Sequence, residues 1–218
     1  MLAAVIPSRD RPADLQRCLE SLTGQVDVAI IVDNGSSPPI DPADISKILP
    51  VIVIRDPQQP PNLSQLWNVG IAAVAALAGN ECWHVAIVND DAVVPPVWMG
   101  SLVSAMEIRG ATAGCYDPHS PVGMPRLYRE PLISVMDRMV GWAFVLHGCD
   151  GLMADEDLRW WYGDTAIDVQ ARKMGGTLIM PGDQVHNYRA NASTTGILAE
   201  QAGRDRATFE AKYGPVPW

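Results

Sequence analysis

The chain has 218 residues, 48% of them hydrophobic and 19% charged, a composition that suits one globular domain rather than two large ones. Its 16 Lys and Arg residues against 25 Asp and Glu leave a formal net charge of −9, which disfavours a basic protein that coats nucleic acid. The 18 Gly and 18 Pro residues form no low-complexity tract, so a disordered or collagen-like chain is excluded.

The sequence shows neither an export signal nor a membrane span. Its apolar start lacks a basic region, and the longest apolar stretch, Val69 to Ala78, has about half the length of a membrane-spanning helix. The four cysteines include no Cys-x-x-Cys pair, which argues against a zinc knuckle or a dithiol motif. We therefore expect reduced thiols, a cytoplasmic location and no transmembrane segment.

The first part of the chain alternates short apolar runs with helical periodicity. Runs rich in Val and Ile predict buried strands at Ala3–Pro7, Val28–Asp33, Val51–Arg55 and His84–Asn89. Between them, apolar residues recur at i, i+3, i+4 and i+7 from Leu15 to Leu22 and again from Leu63 to Val74, which predicts helices. This alternation indicates an α/β fold with a mostly parallel central sheet and helices on both faces.

The pattern is less regular after Tyr116. A long surface loop is predicted from Asp117 to Arg138, because this segment is rich in Pro and carries Arg126 and Arg129 as well as Arg138. Around this loop we predict further elements. They are helices at Val97–Arg109, Asp164–Met174 and Leu198–Tyr213, and strands at Thr112–Tyr116, Val140–His147 and Thr177–Met180.

Polar clusters follow three of the early strands. They are Ser8-Arg-Asp10, Asp33-Asn-Gly-Ser36 and Asn89-Asp-Asp91. Any one of them is explained by ordinary turn chemistry. In an open parallel sheet, however, ligands bind outside the carboxyl ends of the strands, so three clusters at equivalent ends predict one shared binding crevice.

Asp90 and Asp91 form a carboxylate pair at the end of a buried strand, where a cation would relieve their repulsion. A helix cap is the alternative, but about five residues separate the pair from the next predicted helix. Oxygen ligands favour Mg²⁺ or Mn²⁺. His186 follows a later strand and would complete such a site, favouring Mn²⁺, although a structural or surface His is an equally good reading of its chemistry.

Asp164 and Asp168 lie four residues apart at a predicted helix start, directly after the aromatic stretch Trp160-Trp-Tyr162. A carboxylate there would act as a general base beside an aromatic wall for a sugar or base. A helix cap explains it equally well. Trp142 is likewise either a core residue or part of a pocket wall.

Together these segments resemble a family 2 glycosyltransferase with the GT-A fold, over nearly the whole chain. The stretch Ala4 to Pro12 is similar to the family's first strand and turn, and Val32-Asp-Asn-Gly-Ser36 to the segment whose Asp contacts the nucleoside. Asn68-Val-Gly70 resembles part of the helix that approaches the diphosphate. Ile87-Val-Asn-Asp-Asp-Ala92 stands at the Asp-x-Asp metal motif, with Asn in the first position and Asp91 in the second.

Two later segments carry the resemblance further. Trp161 to Gly175 is similar to the segment with the catalytic base, although Gly163 precedes Asp164 where the commoner family form has Glu. Val185-His186 resembles the late His segment that reaches the metal or diphosphate.

The resemblance implies one GT-A domain over residues 1–218, with a nucleotide-binding half at 1–92 and an acceptor and catalytic half at 93–218 that includes loop 117–139. It implies transfer of a sugar, with inversion, from a nucleotide-diphosphate sugar, UDP being favoured over GDP and dTDP. The implied roles are as follows: donor binding by Pro7, Ser8, Arg9, Asp33, Asn68, Gly70 and Asp90, Mn²⁺ or Mg²⁺ binding by Asp91 and His186, general base catalysis by Asp164, and acceptor binding by Trp142, Trp161 and Tyr162.

The acceptor stays open, with loop 117–138 and the segment after His186 as candidates for its recognition. It is a glycan, a lipid-linked sugar, a protein, a small metabolite or, in a phage setting, a hydroxymethylated DNA base. A nucleotidyltransferase would need a Gly-rich loop with Lys after the first strand, and a Rossmann dehydrogenase a Gly-x-Gly-x-x-Gly motif; neither occurs. The nucleotidyltransferase stays the alternative among enzymes, and a non-catalytic nucleotide- or sugar-binding module is the alternative from another class. Such a module would tolerate loss of Asp91 or Asp164.

Overall fold

A large mixed sheet forms the centre of the molecule in a computed structural model of the chain. The structure describes residues 1–45, 47–117, 122–132, 134–182, 185–187 and 197–216. The strands are β1 (Leu2–Ser8), β2 (Val28–Asp33), β3 (Val51–Arg55), β4 (His84–Val88), β5 (Ala92–Val93), β6 (Ala113–Tyr116), β7 (Arg126–Tyr128), β8 (Ala143–His147), β9 (Thr177–Met180) and β10 (His186–Asn187). Within the described ranges, eight of them form one sheet in the order β3-β2-β1-β4-β8-β6-β9-β7, while β10 pairs with β5.

The sheet is mostly parallel, as predicted. β1, β2, β3 and β4 are parallel neighbours, and β8 runs antiparallel to both β4 and β6. β9 is parallel to β6, and β7 is the edge strand, which pairs antiparallel with β9. Because the central strands are buried on both faces, they consist of continuous apolar runs such as Val85 to Val88.

Helices cover both faces of this sheet, which confirms the predicted α/β layout. They are α1 (Pro12–Leu22), α2 (Pro42–Ile45), α3 (Leu63–Ala78), α4 (Trp98–Arg109), α5 (Gly163–Arg172) and α6 (Ile197–Tyr213). α1 and α4 pack on one face of β1, β2 and β4, and α3 and α5 on the other. None of the helices in the described ranges is long and apolar enough to span a bilayer.

The predicted loop from Asp117 to Arg138 contains an edge strand. Arg126–Tyr128 forms β7 and pairs with β9, and a single 3₁₀ turn follows at Val135–Asp137. A three-residue strand is too short to show an alternating pattern, so the sequence analysis missed it. The strand predicted from Val140 begins at Ala143.

A buried ion pair holds the end of this segment against α5. Arg172 Nε lies 2.9 Å from Asp168 Oδ1, and both side chains are inaccessible to solvent. Asp168 also accepts a hydrogen bond from the backbone N–H of Met139 at 2.9 Å. The Arg172 guanidinium donates to the carbonyl oxygens of Glu130 and Asp137. The pair therefore ties the backbone of Glu130, Asp137 and Met139 to α5.

A second buried carboxylate, Asp205 of α6, positions the aromatic stretch that precedes α5. It accepts hydrogen bonds from the backbone N–H groups of Arg159, Trp160 and Trp161 at 3.2, 2.7 and 2.8 Å. Gln201 donates to the same carboxylate at 2.7 Å. Three consecutive N–H groups bound to one carboxylate leave this turn little freedom to move relative to α6.

Gly70 sets how closely α3 approaches β1. A Cβ atom at this position would lie 2.2 Å from Val5 Cγ1. We expect Gly70→Ala to lower the free energy of unfolding by about 1–3 kcal/mol, the usual cost of overpacking a core. The matched control is Gly100→Ala in α4, where an added Cβ meets no atom within 4 Å. Because Ala has a higher helix propensity than Gly, the control substitution should raise the free energy of unfolding by up to about 1 kcal/mol. Urea unfolding of both variants measures the difference, and equal effects would contradict the proposed contact.

Candidate active site

A cavity of about 1050 Å³ lies at the carboxyl ends of β1 and β4. Its wall comes from the polar turns after these strands, from the first turns of α3, from the segment around residues 135–142, and from residues 160–164 before and in α5. The predicted site residues in this wall are Pro7, Ser8, Arg9, Asp90, Asp91, Trp142, Trp161, Tyr162 and Asp164. The structure thus brings together both halves of the predicted site.

Ser8 and Arg11 contact the carboxylate pair at the end of β4. Ser8 Oγ donates to Asp90 Oδ2 at 2.8 Å. Arg11 Nη1 lies 3.1 Å from Asp90 Oδ1 and 3.3 Å from Asp91 Oδ2, so one guanidinium relieves part of the carboxylate repulsion. Burial raises the pKa of Asp90, the contacts with Ser8 and Arg11 oppose this rise, and the charge of Asp91 adds to it. Arg11 is not among the predicted site residues, although it adjoins the first polar cluster.

Neither carboxylate of this pair caps α4. The N-cap of that helix is Val97, in a left-handed conformation and without a side-chain cap. Asp90 and Asp91 are 6% and 7% exposed and both line the cavity. The helix-cap alternative is therefore wrong for both, and their burial beside the cavity has to be explained by the site itself.

The oxygen donors at this end of the sheet fit a hard divalent cation. Asn89, Asp90, Asp91 and Asn187 all line the cavity and offer amide or carboxylate oxygens. His186 is exposed and is not among the lining residues. In the pairing of β10 with β5, His186 lies opposite Val93 and Asn187 opposite Ala92, and adjacent residues of a strand face opposite sides. This is why Asn187 rather than His186 reaches the cavity wall.

Asp164 lines the cavity in the first turn of α5. Burial raises its pKa, while the nearby Arg138 guanidinium lowers it. A Cβ at Gly141 would lie 2.4 Å from Asp164 Oδ2, so only glycine leaves room for the carboxylate there. The N-cap of α5 is Tyr162, without a side-chain cap, which excludes the capping alternative for Asp164. Asp168, by contrast, is in the core and ion-paired with Arg172.

Aromatic side chains form a large part of the cavity wall near Asp164. Trp142, Trp161 and Tyr162 lie there as predicted, and Trp67 of α3 joins them. The indole Nε1 atoms of Trp67 and Trp161 are buried and have no hydrogen-bond partner among the described residues. The wall therefore offers flat apolar surface, which is suited to the face of a sugar ring.

Three residues predicted to bind the donor support the wall but do not line it. Asp33 is buried and accepts the backbone N–H of Ser36 at 2.7 Å, while its neighbour Asn34 lines the cavity. Asn68 exchanges hydrogen bonds with the backbone of Ala154, and Gly70 packs on β1. Buried polar groups require such partners, and here the backbone supplies them.

The segment predicted to recognise the acceptor contributes to the wall in part. Val135, Met136 and Arg138 line the cavity. Arg129 instead donates to the backbone carbonyls of Arg109 and Gly175, and the exposed Arg126 contacts Tyr128. The three arginines therefore do not form one basic patch. Of the second predicted segment, residues 188–196 lie outside the described ranges.

Several solved structures share the fold. The structure of S. aureus TarS 1–349 in complex with UDP-GlcNAc has a TM-score of 0.64 and 10% identity, over 96% of this chain and 66% of that one. A second structure of S. aureus TarS 1–349 has a TM-score of 0.61 and 11% identity, over 97% of this chain and 73% of that one. A longer S. aureus TarS structure has a TM-score of 0.61 and 10% identity, over 84% of this chain and 36% of its own length. This chain thus spans little more than a third of that longer protein, and identities this low show a common fold alone.

The comparison with curated proteins gives no match. The sequence profile described as Glycosyl transferase family 2 matches residues 3–153. This range includes the polar ends of β1, β2 and β4 and stops before Asp164. Because the match covers more than two thirds of the sequence, the chain belongs to glycosyl transferase family 2.

Proposed function

We propose that this protein transfers a sugar from a nucleotide-diphosphate sugar, UDP-linked by preference, to an acceptor hydroxyl with inversion. The observation that carries the proposal is one cavity that holds Ser8, Asp90 and Asp91 on one side and Asp164 among tryptophans on the other. Its volume of about 1050 Å³ is at the upper end for ligand pockets, so a donor and an acceptor group fit together.

The donor side combines cationic side chains with oxygen ligands. Arg9 and Arg11 line the cavity and are suited to a diphosphate, because a guanidinium forms paired hydrogen bonds with phosphate oxygens. In our proposal Asp91 holds Mn²⁺ or Mg²⁺, with the oxygen donors of Asp90 and Asn187 nearby in the cavity wall. When bound, the cation would supply positive charge that stabilises the diphosphate leaving group.

The acceptor side supplies the base. In an inverting single displacement the acceptor oxygen attacks the anomeric carbon directly, so one carboxylate that accepts its proton is sufficient. Asp164 lies in the cavity wall beside the tryptophans, and its raised pKa makes it a stronger base than an exposed Asp. Trp142 and Trp161 would hold the acceptor ring against this carboxylate.

UDP is the preferred donor nucleotide in this proposal because TarS structures with UDP and with UDP-GlcNAc share the fold. We expect UDP with Mn²⁺ to raise the thermal unfolding midpoint, and GDP, dTDP and CMP to raise it less. Chelator should remove the shift. The Asp91→Ala variant should show no such shift either, while the Asp44→Ala variant, altered at an exposed position of α2, should show the same shift as the unaltered protein. A shift that survives both chelator and Asp91→Ala would contradict metal binding at Asp91.

The role of Asp164 is tested by Asp164→Asn, which keeps the side-chain shape but cannot accept the proton. With a UDP-sugar as donor, turnover should fall about 10²–10⁴-fold, the usual contribution of a general base. The UDP-dependent thermal shift should stay unchanged, since the donor side is intact. Asp44→Asn serves as the control. Turnover within twofold of the unaltered protein would remove Asp164 from this role.

The pH dependence follows from the same carboxylate. A base must be ionised, so kcat/KM should fall as the pH drops through the pKa of Asp164. Because burial raises this pKa, the acid limb should lie above the ordinary Asp value of about 3.9. Arg138 lowers the pKa, so Arg138→Gln should move the limb to still higher pH, whereas Arg126→Gln, an exposed site, should not. An acid limb that stays in place in Arg138→Gln would contradict this assignment.

A further inference from the structure

Two cysteines and a histidine meet at the end of the sheet opposite the cavity. Cys82 precedes β4, while His147 ends β8 and Cys149 follows it in a short 3₁₀ turn. The two thiol sulfurs and one imidazole nitrogen all lie within 4.8 Å of one another. Both thiols are exposed, so an ion from solvent can reach them. The proposed transferase reaction uses none of these residues.

The distances match a tetrahedral thiolate and imidazole site. With bonds of about 2.3 Å to sulfur and about 2.0 Å to nitrogen, a zinc-bound sulfur and nitrogen are about 3.5 Å apart. Cys82 Sγ lies 3.4 Å from His147 Nε2 without any ion. The ligand atoms therefore need only small side-chain movements to close around a cation.

The histidine is already oriented for binding. His147 Nδ1 lies 2.9 Å from Asp150 Oδ1, which leaves Nε2 toward the thiols. A carboxylate that holds the far nitrogen of a ligating His is the common arrangement in zinc sites. The turn itself is fixed by Gly148, where a Cβ would lie 2.1 Å from the Trp83 ring.

A disulfide switch between the two cysteines is the competing reading. The third member of the group, His147 with its orienting carboxylate, has no role in a disulfide. We infer that Cys82, His147 and Cys149 bind Zn²⁺, with a fourth position open to solvent, and that the ion links the β4 and β8 ends of the sheet.

Cobalt provides the direct test, because Co²⁺ bound to thiolates in a tetrahedral site absorbs visible light. The untagged full chain, stripped of metal and reduced with a phosphine, is titrated with Co²⁺ and then with Zn²⁺. We expect a sulfur-to-cobalt charge-transfer band that Zn²⁺ displaces at one equivalent. Cys82→Ser, Cys149→Ser and His147→Gln should each weaken it strongly, and Asp150→Asn should lower affinity by about 10–100-fold.

Two further measurements separate this site from its alternatives. Asp91→Ala should leave the cobalt–thiolate band unchanged, so failure of the proposed transferase function and failure of this site are independent outcomes. Zn²⁺ should also protect Cys82 and Cys149 from air oxidation to a disulfide. A reduced protein that shows no charge-transfer band, a band that all three ligand variants retain, or oxidation at the same rate with and without Zn²⁺ would each overturn the inference.

Discussion

The parallel register of β1 between β2 and β4 is the constraint on which the candidate site depends. Ser8 pairs with Asp33 across one side, and Val5 pairs with Ile87 across the other. Because both faces of these strands are buried, a slip by one residue would exchange every side chain between the two helical layers. The register therefore also determines which polar residues emerge together, and the hydrogen bond from Ser8 to Asp90 is its direct result.

The second half of the site is held by buried charged groups that do not reach the cavity. Asp168 and Arg172 bind each other and the backbone of Glu130, Asp137 and Met139. Asp205 binds the three N–H groups of residues 159–161. Separating these partners would leave an uncompensated charge in the interior, which is costly. The buried charges therefore favour the one arrangement of these segments in which every partner is in contact. The orientation of Trp161 and the location of Arg138 thus depend on residues outside the reaction chemistry.

The two ends of the sheet differ in the chemistry of their side chains. The carboxyl end collects carboxylate and amide oxygens, and the opposite end collects thiols and an imidazole. Hard cations prefer the first set and borderline or soft cations the second. β4 joins both ends, and its five residues span about 17 Å, which is too far for the two groups to share one ion. Strand β4 therefore keeps the two proposed cation sites apart.

Much of the fold followed from local patterns. Apolar runs and helical periodicity predicted strands β1 to β4 and helices α1 and α3 near their observed bounds, since burial leaves a periodic trace in the sequence. Polar residues at strand ends likewise indicated a crevice containing Ser8, Asp90 and Asp91. The three-residue β7 was not predicted, because so short a strand shows no periodic pattern. The supporting role of Asn68 was not predicted either, because the sequence does not distinguish a buried polar side chain from one that binds a ligand.

The sequence by itself determined the residue types, the elements and the edge of the sheet where a site would form. Only the tertiary structure decided which of Asp164 and Asp168 faces the cavity, that Asn187 and not His186 lines it, and that Arg11 bridges the carboxylate pair. It also brought Cys82 beside Cys149, 67 positions away and without any spacing motif. The physical reason is that periodicity records whether a side chain is buried, whereas contacts between distant side chains depend on strand order and register.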